Sequence, residues 1–163
     1  MANSIYDKIA IIVIIIICFI VGWSIYIQIN EHYTIKDPKL KDLEHKFKQF
    51  FSRERKWKKP LESLNNTNIM SNLSFYRGNK SYTINKKNVY ICLKDKDGEY
   101  YDDNMLIYVI AHEIAHTICP EIGHTELFHT IFDALLLVLI EEGVYDPTIP
   151  ILKDYCVTGD NDY

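Results

Sequence analysis

The chain has 163 residues, enough for one compact domain and a membrane segment, and its 48% hydrophobic and 25% charged residues exclude wholesale disorder. Its formal net charge of −4 is unevenly distributed: residues 36–59 hold ten Lys or Arg against four Asp or Glu, whereas residues 95–163 hold two against fifteen. The acidic C-terminal half argues against binding nucleic acid, since Lys and Arg make the phosphate contacts. The basic segment could contact anionic lipid headgroups or the acidic half of its own domain.

The N-terminal part of the chain is a candidate membrane anchor. After a tail of residues 1–8, residues 9–29 carry no charged side chain, and as a helix they would extend about 31 Å, the thickness of a bilayer core. This apolar run is too long for a cleaved signal peptide, and no A-x-A site follows it. Five lysines follow the span closely and only Lys8 precedes it. The positive-inside rule therefore predicts a single-pass protein whose C-terminal domain faces the cytosol or the inner face of a viral membrane.

The cysteines and the glycosylation sequons bear on the compartment of the domain. Three cysteines, at positions 92, 119 and 156, follow the apolar segment without any CxxC spacing. An odd number predicts no disulfide framework and is typical of a reducing compartment. Three Asn-x-Ser/Thr sequons, at Asn65, Asn72 and Asn79, could be glycosylated only if the domain faced a lumen.

Beyond a linker at residues 30–37, residues 38–163 are predicted to form one α+β domain, in which a short, mostly antiparallel sheet packs on helices. Asp37 is a candidate N-cap, Pro38 suits the first helical turn, and apolar residues then recur at helical spacing. Alternating apolar residues and turn signals mark the strands. The predicted elements, in chain order, are a helix at 38–58, a loop at 65–72, strands at 73–77, 81–84 and 89–93, helices at 103–119 and 125–142, and an extended tail.

The motif HExxH, spelled HEIAH here, lies inside the predicted helix 103–119. A spacing of four places His112 and His116 on one helix face, about 6 Å apart along the axis, so both can bind one Zn²⁺ at about 2.0–2.1 Å. Glu113 lies beside that face and could act as general base on a zinc-activated water. Because apolar residues surround the motif, these polar side chains are costly to bury unless they bind something. A pair of hydrogen-bonded core histidines is the alternative.

A catalytic zinc site needs a third protein ligand and an open position for water. His124 follows His116 by eight residues, and Pro120 and Gly123 would reverse the chain between them. We therefore expect His124 to be the third ligand. The other candidates, in order, are Glu141 or Glu142 at the far end of the last helix, then Glu126 and His129.

The segment 89–128 combines several pieces: the strand VYICL, a turn rich in Asp and Gly, a helix ending in AHEIAH, and the sequence GHTELF. In this combination it resembles the WLM/SprT-like zincin metallopeptidases. The resemblance implies that His112, His116 and His124 bind zinc and that Glu113 is catalytic. Seven residues, TICPEIG, separate the second and third histidines, where that family usually has five.

The resemblance also implies where a substrate would lie. Zincins commonly hold an extended peptide against an edge strand beside the motif helix, and strand 89–93 would be that edge. Tyr100 and Tyr101 are candidates for stabilising the oxyanion, although packing is the commoner role of a tyrosine. The sequence thus predicts a membrane-anchored zinc metallopeptidase acting on a peptide or protein substrate, attached to the membrane through residues 9–29. The alternative is a structural membrane or virion protein that keeps a zincin fold without catalytic use.

Overall fold

The computed structural model describes residues 2–34 and 37–156, and within them the side chains of residues 6–27 and 37–156. The chain divides into two compact units, Met1–Ile35 and Lys36–Tyr163. The N-terminal unit is helix α1, Ala2–Thr34, which extends beyond the predicted span 9–29 at both ends. Within α1, Tyr6–Ile27 has a mean hydropathy of 2.9 and is long and apolar enough to cross a membrane. Neither its length nor its composition indicates which side the second unit occupies.

The second unit has the predicted α+β class. Together with α1, the described residues form five α-helices and one three-stranded sheet. In chain order the elements of the second unit are α2 (Pro38–Ser52), a 3₁₀ turn (Glu62–Asn65), α3 (Thr67–Ser71), β1 (Ser74–Arg77), β2 (Tyr82–Ile84), β3 (Asn88–Ile91), α4 (Asp103–Ile118) and α5 (Glu126–Glu141).

The sheet is mixed, so the prediction of a mostly antiparallel sheet is wrong. Its strand order is β1-β3-β2, with β1 parallel and β2 antiparallel to β3. This order arises because residues 78–81 carry the chain across the end of β3, where the Gly78 N–H donates to the Ile91 carbonyl over 2.9 Å. A Cβ at Gly78 would lie 2.6 Å from the Lys80 carbonyl oxygen, so the crossing requires glycine. As a result β3 is the central strand and β2 is an edge strand.

The hairpin between β2 and β3 is fastened to the end of α4. Asn85 and Lys86 have φ angles of 53° and 54° and are the central residues of a turn in which the Lys87 N–H donates to the Ile84 carbonyl over 3.1 Å. Positive φ at both central residues is typical of a type I′ hairpin turn. The Lys86 ammonium donates to the main-chain carbonyl of Cys119, at the C-terminus of α4. A cation is favourable there because carbonyl groups at a helix end carry partial negative charge. The edge strand β2 is thereby held beside α4.

Two sequence-based boundaries differ from the structure. Helix α2 ends at Ser52 rather than at residue 58, because the chain turns extended at Arg53 and Trp57 packs back on the rings of Phe50 and Phe51. The stretch 65–72, predicted as loop, contains α3, which begins where the Asn66 side chain accepts from the Asn68 N–H.

The basic segment contacts the acidic half of its own domain. Lys39 and Lys46 pair with Asp103 at the start of α4, and Arg53 and Arg55 pair with Glu142 at the end of α5. Intramolecular pairing is one of the two roles expected for this charge.

A disulfide joins Cys92, directly after β3, to Cys156. The expectation of no disulfide is therefore wrong: the odd count conceals one pair plus Cys119, which is buried. A separation of 64 residues left no local spacing signal. The Tyr155 hydroxyl donates to the Cys92 carbonyl over 2.6 Å, so two neighbouring residues fasten the C-terminal segment to the end of β3.

Replacing one disulfide cysteine tests this arrangement. Cys156→Ser is expected to lower the free energy of unfolding by about 2–5 kcal/mol, because the bond closes a long loop in the unfolded chain. Chemical denaturation of the detergent-solubilised full chain without reductant measures the change. Cys18→Ser, which alters a cysteine of α1, is the matched control and should leave the unfolding transition of the domain unchanged. Equal transitions for the two variants would contradict the disulfide.

Candidate metal centre

Helix α4 presents His112 and His116 on its open face. The helix begins where the Asp102 side chain accepts from the Asn104 N–H over 2.8 Å, and it ends at Ile118, with Cys119 as its C-cap before Pro120. Its opposite face is packed in the core, with Ile110, Ala111, Ile114 and Ala115 all fully buried. The two histidines, one turn apart, are therefore left half-buried on the side that faces α5 and the following loop.

The loop between α4 and α5 brings His124 to the same place. Gly123 has a φ of +85°, a left-handed conformation that strains any other residue and that lets the chain reverse just before His124. Thr125 then caps α5, its hydroxyl accepting from the Phe128 N–H over 3.3 Å. His124 is consequently fixed between a tight reversal and a helix start.

The three histidines converge through the same ring nitrogen. The Nε2 atoms of His112 and His116 are 3.2 Å apart, those of His116 and His124 are 3.1 Å apart, and those of His124 and His112 are 3.0 Å apart. A neutral imidazole nitrogen either donates or accepts, and three nitrogens have only these two roles. At least two of them must therefore share a role and oppose each other. Mutual hydrogen bonds cannot satisfy the cluster.

This cluster fits a zinc ion. Tetrahedral Zn–N bonds of about 2.0–2.1 Å would place neighbouring nitrogens about 3.3–3.4 Å apart, close to the observed separations. Burial, with a further contribution from the neighbouring imidazoles, lowers the pKa of His112 to about 3. Burial likewise lowers the pKa of His116 to about 4. Both rings are neutral near pH 7, the form in which imidazole binds a metal.

Phe128 forms the floor of the histidine cluster. Its ring is fully buried and lies 4.2 Å from the ring of His116 and 4.9 Å from those of His112 and His124, measured between centroids. One aromatic ring in contact with all three imidazoles restricts their rotation and holds their free nitrogens towards a common point. Phe128 is also the last residue of the GHTELF segment.

Glu113 is buried next to this cluster, with a relative exposure of 4%. The Thr83 hydroxyl on β2 donates to Glu113 Oε2 over 2.7 Å. Burial raises the pKa of Glu113 to about 7, and the bond from Thr83 partly offsets this effect. Sequence reasoning missed Thr83, because a threonine in a short strand is ordinary and nothing local marks it as a partner of the motif.

A cleft passes over the site between β2 and α4. It consists of two cavities, of about 520 Å³ and about 220 Å³, and Ser81, His112 and Glu113 border both of them. Thr83, His116 and His124 border the larger cavity. The expectation that strand 89–93 would border the substrate is wrong, because this strand corresponds to the central strand β3. The edge strand at the cleft is β2.

The remaining sequence candidates lie outside the cluster. Glu142 is paired with Arg53 and Arg55, and Glu141 is exposed at the far end of α5. Glu126 and His129 are exposed on the first turn of α5. Within the described residues the group of possible metal ligands consists of His112, His116 and His124.

Tyr100 and Tyr101 are also not at the cleft. The Tyr100 hydroxyl donates to the carboxylate of Asp37 over 2.9 Å, and the Tyr101 hydroxyl accepts from the Cys156 N–H over 2.8 Å. Both tyrosines stabilise the packing of their own surroundings. This packing is the commoner of the two roles expected for them, and neither tyrosine borders the two cavities of the cleft.

The chain is similar to three viral proteins. It is 50% identical over 99 residues to uncharacterized protein 136R of Invertebrate iridescent virus 6, a match that covers 59% of this chain and 56% of the relative. It is 48% identical over 98 residues to uncharacterized protein 042R of Invertebrate iridescent virus 3, covering 60% and 62%. It is 33% identical over 124 residues to uncharacterized protein R325 of Acanthamoeba polyphaga mimivirus, covering 72% and 58%. The chain thus spans between 56% and 62% of the length of these relatives. No family model and no solved structure matches it.

The histidine cluster generates a direct prediction about metal content. His124→Ala should weaken zinc binding at least about 100-fold. Losing a residue that only hydrogen-bonds to a metal ligand costs up to about that much, and losing a ligand itself should cost more. Competition with a fluorescent zinc chelator measures the affinity. His129→Ala is the matched control, since His129 lies close by, with its ring centroid 6.3 Å from that of His124, but outside the cluster. Equal zinc affinity in both variants would rule out His124 as a ligand.

Proposed function

We propose that the chain is a membrane-anchored zinc metallopeptidase of the zincin type, related to the WLM/SprT-like enzymes that residues 89–128 resemble. The observation that carries this proposal is the combination, in one cleft, of three imidazole nitrogens within 3.2 Å of one another and a buried carboxylate on the helix that carries two of them. A purely structural site has no need of such a carboxylate, and it usually closes the fourth metal position with another protein ligand.

The residues of the cleft have distinct roles in this proposal. His112, His116 and His124 would hold the zinc ion, which when bound supplies a Lewis acid and a water that ionises near pH 7. Glu113 accepts a proton from the attacking water and passes it to the nitrogen of the leaving amine. Thr83 bonds to Oε2 of Glu113, which orients the carboxylate and leaves Oε1 for that proton. The raised pKa of Glu113 suits both steps, and a bound cation would lower it by favouring the ionised form.

The edge strand β2 supports a peptide as the substrate. In the described residues β2 pairs with β3 on one side and has no strand on the other. An extended peptide could therefore add to the sheet through main-chain hydrogen bonds and lie across the cleft beside Glu113. A backbone held in this way presents a carbonyl carbon to the centre of the cleft whatever its side chains are.

Substitution of Glu113 separates an enzyme from a structural zinc protein. Glu113→Gln keeps the shape of the side chain but removes the base, so proteolysis by the zinc-loaded full chain should fall at least about 100-fold while zinc content stays the same. Hydrolysis of a fluorescently labelled unfolded protein, together with metal analysis, measures both quantities. Glu141→Gln, at an exposed glutamate of α5, is the matched control and should leave both unchanged. Zinc-loaded wild type without any proteolysis would favour a structural membrane or virion protein.

For the anchor we propose a single membrane span in α1, with the second unit on the cytosolic side or at the inner face of a viral membrane. The support is the lysine excess after the span. The opposing observation is the Cys92–Cys156 disulfide, since disulfides persist mainly in oxidising compartments.

Glycosylation mapping in a eukaryotic host decides between these two sides. Asn72 and Asn79 are exposed and would accept glycans in a lumen, whereas the Asn65 amide is engaged by the main chain of Trp57. We expect no glycosidase-sensitive mass shift from these sequons, and a shift from a sequon placed on a flexible N-terminal extension. The reverse pattern, with glycans at Asn72 or Asn79 and none on the extension, would place the domain on the side that the disulfide favours.

A further inference from the structure

The smaller cavity of the cleft lies between α4 and the C-terminal segment. On one side it is bordered by Met105, Tyr108 and Val109, which occupy the two turns of α4 that precede His112. On the other side it is bordered by the C-terminal segment 151–155. The larger cavity is bordered instead by β2, its hairpin turn and the loop before α5. The two ends of the cleft are therefore built from different elements, and the smaller one carries one lysine, Lys153, on the C-terminal segment.

The C-terminal segment forms this wall without any regular secondary structure of its own. The contacts that hold it include the Cys92–Cys156 disulfide, the Tyr155 hydroxyl on the Cys92 carbonyl, and the same hydroxyl 2.9 Å from Ser81 Oγ. Ser81 also accepts the Cys92 N–H over 3.0 Å. The wall is thus anchored to the strand region that borders the cleft and is independent of the histidine cluster.

Two apolar side chains of this wall remain in contact with solvent. Ile151 is 40% exposed and Leu152 is 51% exposed, and both border the cavity. Grouped exposed apolar side chains at the mouth of a cavity are typical of a binding surface. A volume of about 220 Å³ lies below the range of about 300–1,000 Å³ for sites that enclose whole small molecules, so one side chain is a more fitting occupant.

We propose that this cavity binds an apolar side chain of the peptide substrate next to the scissile bond, and that the Cys92–Cys156 disulfide holds its outer wall in place. The inference rests on the proposed peptidase function and adds a substrate class to it. His112 and Glu113 border the same cavity, so a residue seated there lies beside the bond that Glu113 serves. When the substrate side chain enters the cavity, it and Leu152 both lose contact with water, which favours binding through the hydrophobic effect.

The first experiment maps the preference. The zinc-loaded full chain in detergent cleaves a digest of an unfolded protein, and mass spectrometry identifies the residues that flank each cleaved bond. Leu, Ile, Met or Phe should be enriched at one flanking position. One cleaved peptide is then resynthesised with Leu or Ala at that position, and kcat/KM for the Leu peptide should be at least about tenfold higher.

The second experiment assigns the preference to this cavity. Leu152→Asp should lower the ratio of kcat/KM for the Leu peptide to kcat/KM for the Ala peptide at least about tenfold. Leu137→Asp is the matched control, because Leu137 is 55% exposed on α5 and borders neither cavity of the cleft. Cys156→Ser should reduce the ratio of the two kcat/KM values with zinc content unchanged.

The outcomes separate this inference from the proposed function. Cleavage without a preference for apolar residues, or identical behaviour of Leu152→Asp and Leu137→Asp, would leave the peptidase standing and overturn the cavity assignment. An unchanged Leu-to-Ala ratio in folded Cys156→Ser would overturn the role of the disulfide. Absence of any cleavage by zinc-loaded wild type would overturn both the function and the inference.

Discussion

The mutual approach of three imidazole nitrogens is the constraint on which the rest of the site depends. Nitrogens 3.0–3.2 Å apart cannot all be satisfied by hydrogen bonds to one another, and burial keeps two of the rings neutral. A cation shared by the three nitrogens would replace this mutual repulsion with attraction. Because such a site is absent from an unfolded chain, the free energy of metal binding would also stabilise the fold. Metal binding would stabilise the loop 119–125 in particular, because this loop carries His124.

The cleft depends equally on two contacts between the sheet edge and α4. Thr83 bonds to the Glu113 carboxylate, and Lys86, two residues beyond β2, bonds to the carbonyl at the end of the same helix. Together they fix the distance and the direction of β2 relative to the motif. Because Thr83 on β2 holds the Glu113 carboxylate, any movement of β2 also moves this carboxylate. Glu113 and the strand edge proposed for the substrate backbone therefore keep their relative positions.

Local features of this molecule were predictable and distant ones were not. The spacing of His112 and His116 and the bounds of α4 follow from helical periodicity and capping within about twenty residues. The central position of β3 follows from the crossing at Gly78, and the disulfide joins residues 64 apart, so neither leaves a local pattern. Thr83 and the wall at 151–155 are of the same kind, since only the folded chain brings them to α4. The helix carrying the motif could therefore be predicted, whereas the cleft around it could not.

The composition of the site also bears on the environment in which the domain could work. The candidate ligands are imidazoles alone, so oxidation would not remove a metal ligand as it would from a thiolate site. Cys119, the free cysteine nearest in sequence to these histidines, is buried and is not part of the cluster. The Cys92–Cys156 pair is then the redox-sensitive part of the cleft. Reduction would remove one of the contacts that hold the wall at 151–155, whereas the histidines, Glu113 and Thr83 would keep theirs. In the proposed peptidase, a change of redox environment should consequently alter which substrates fit before it alters the chemistry at Glu113.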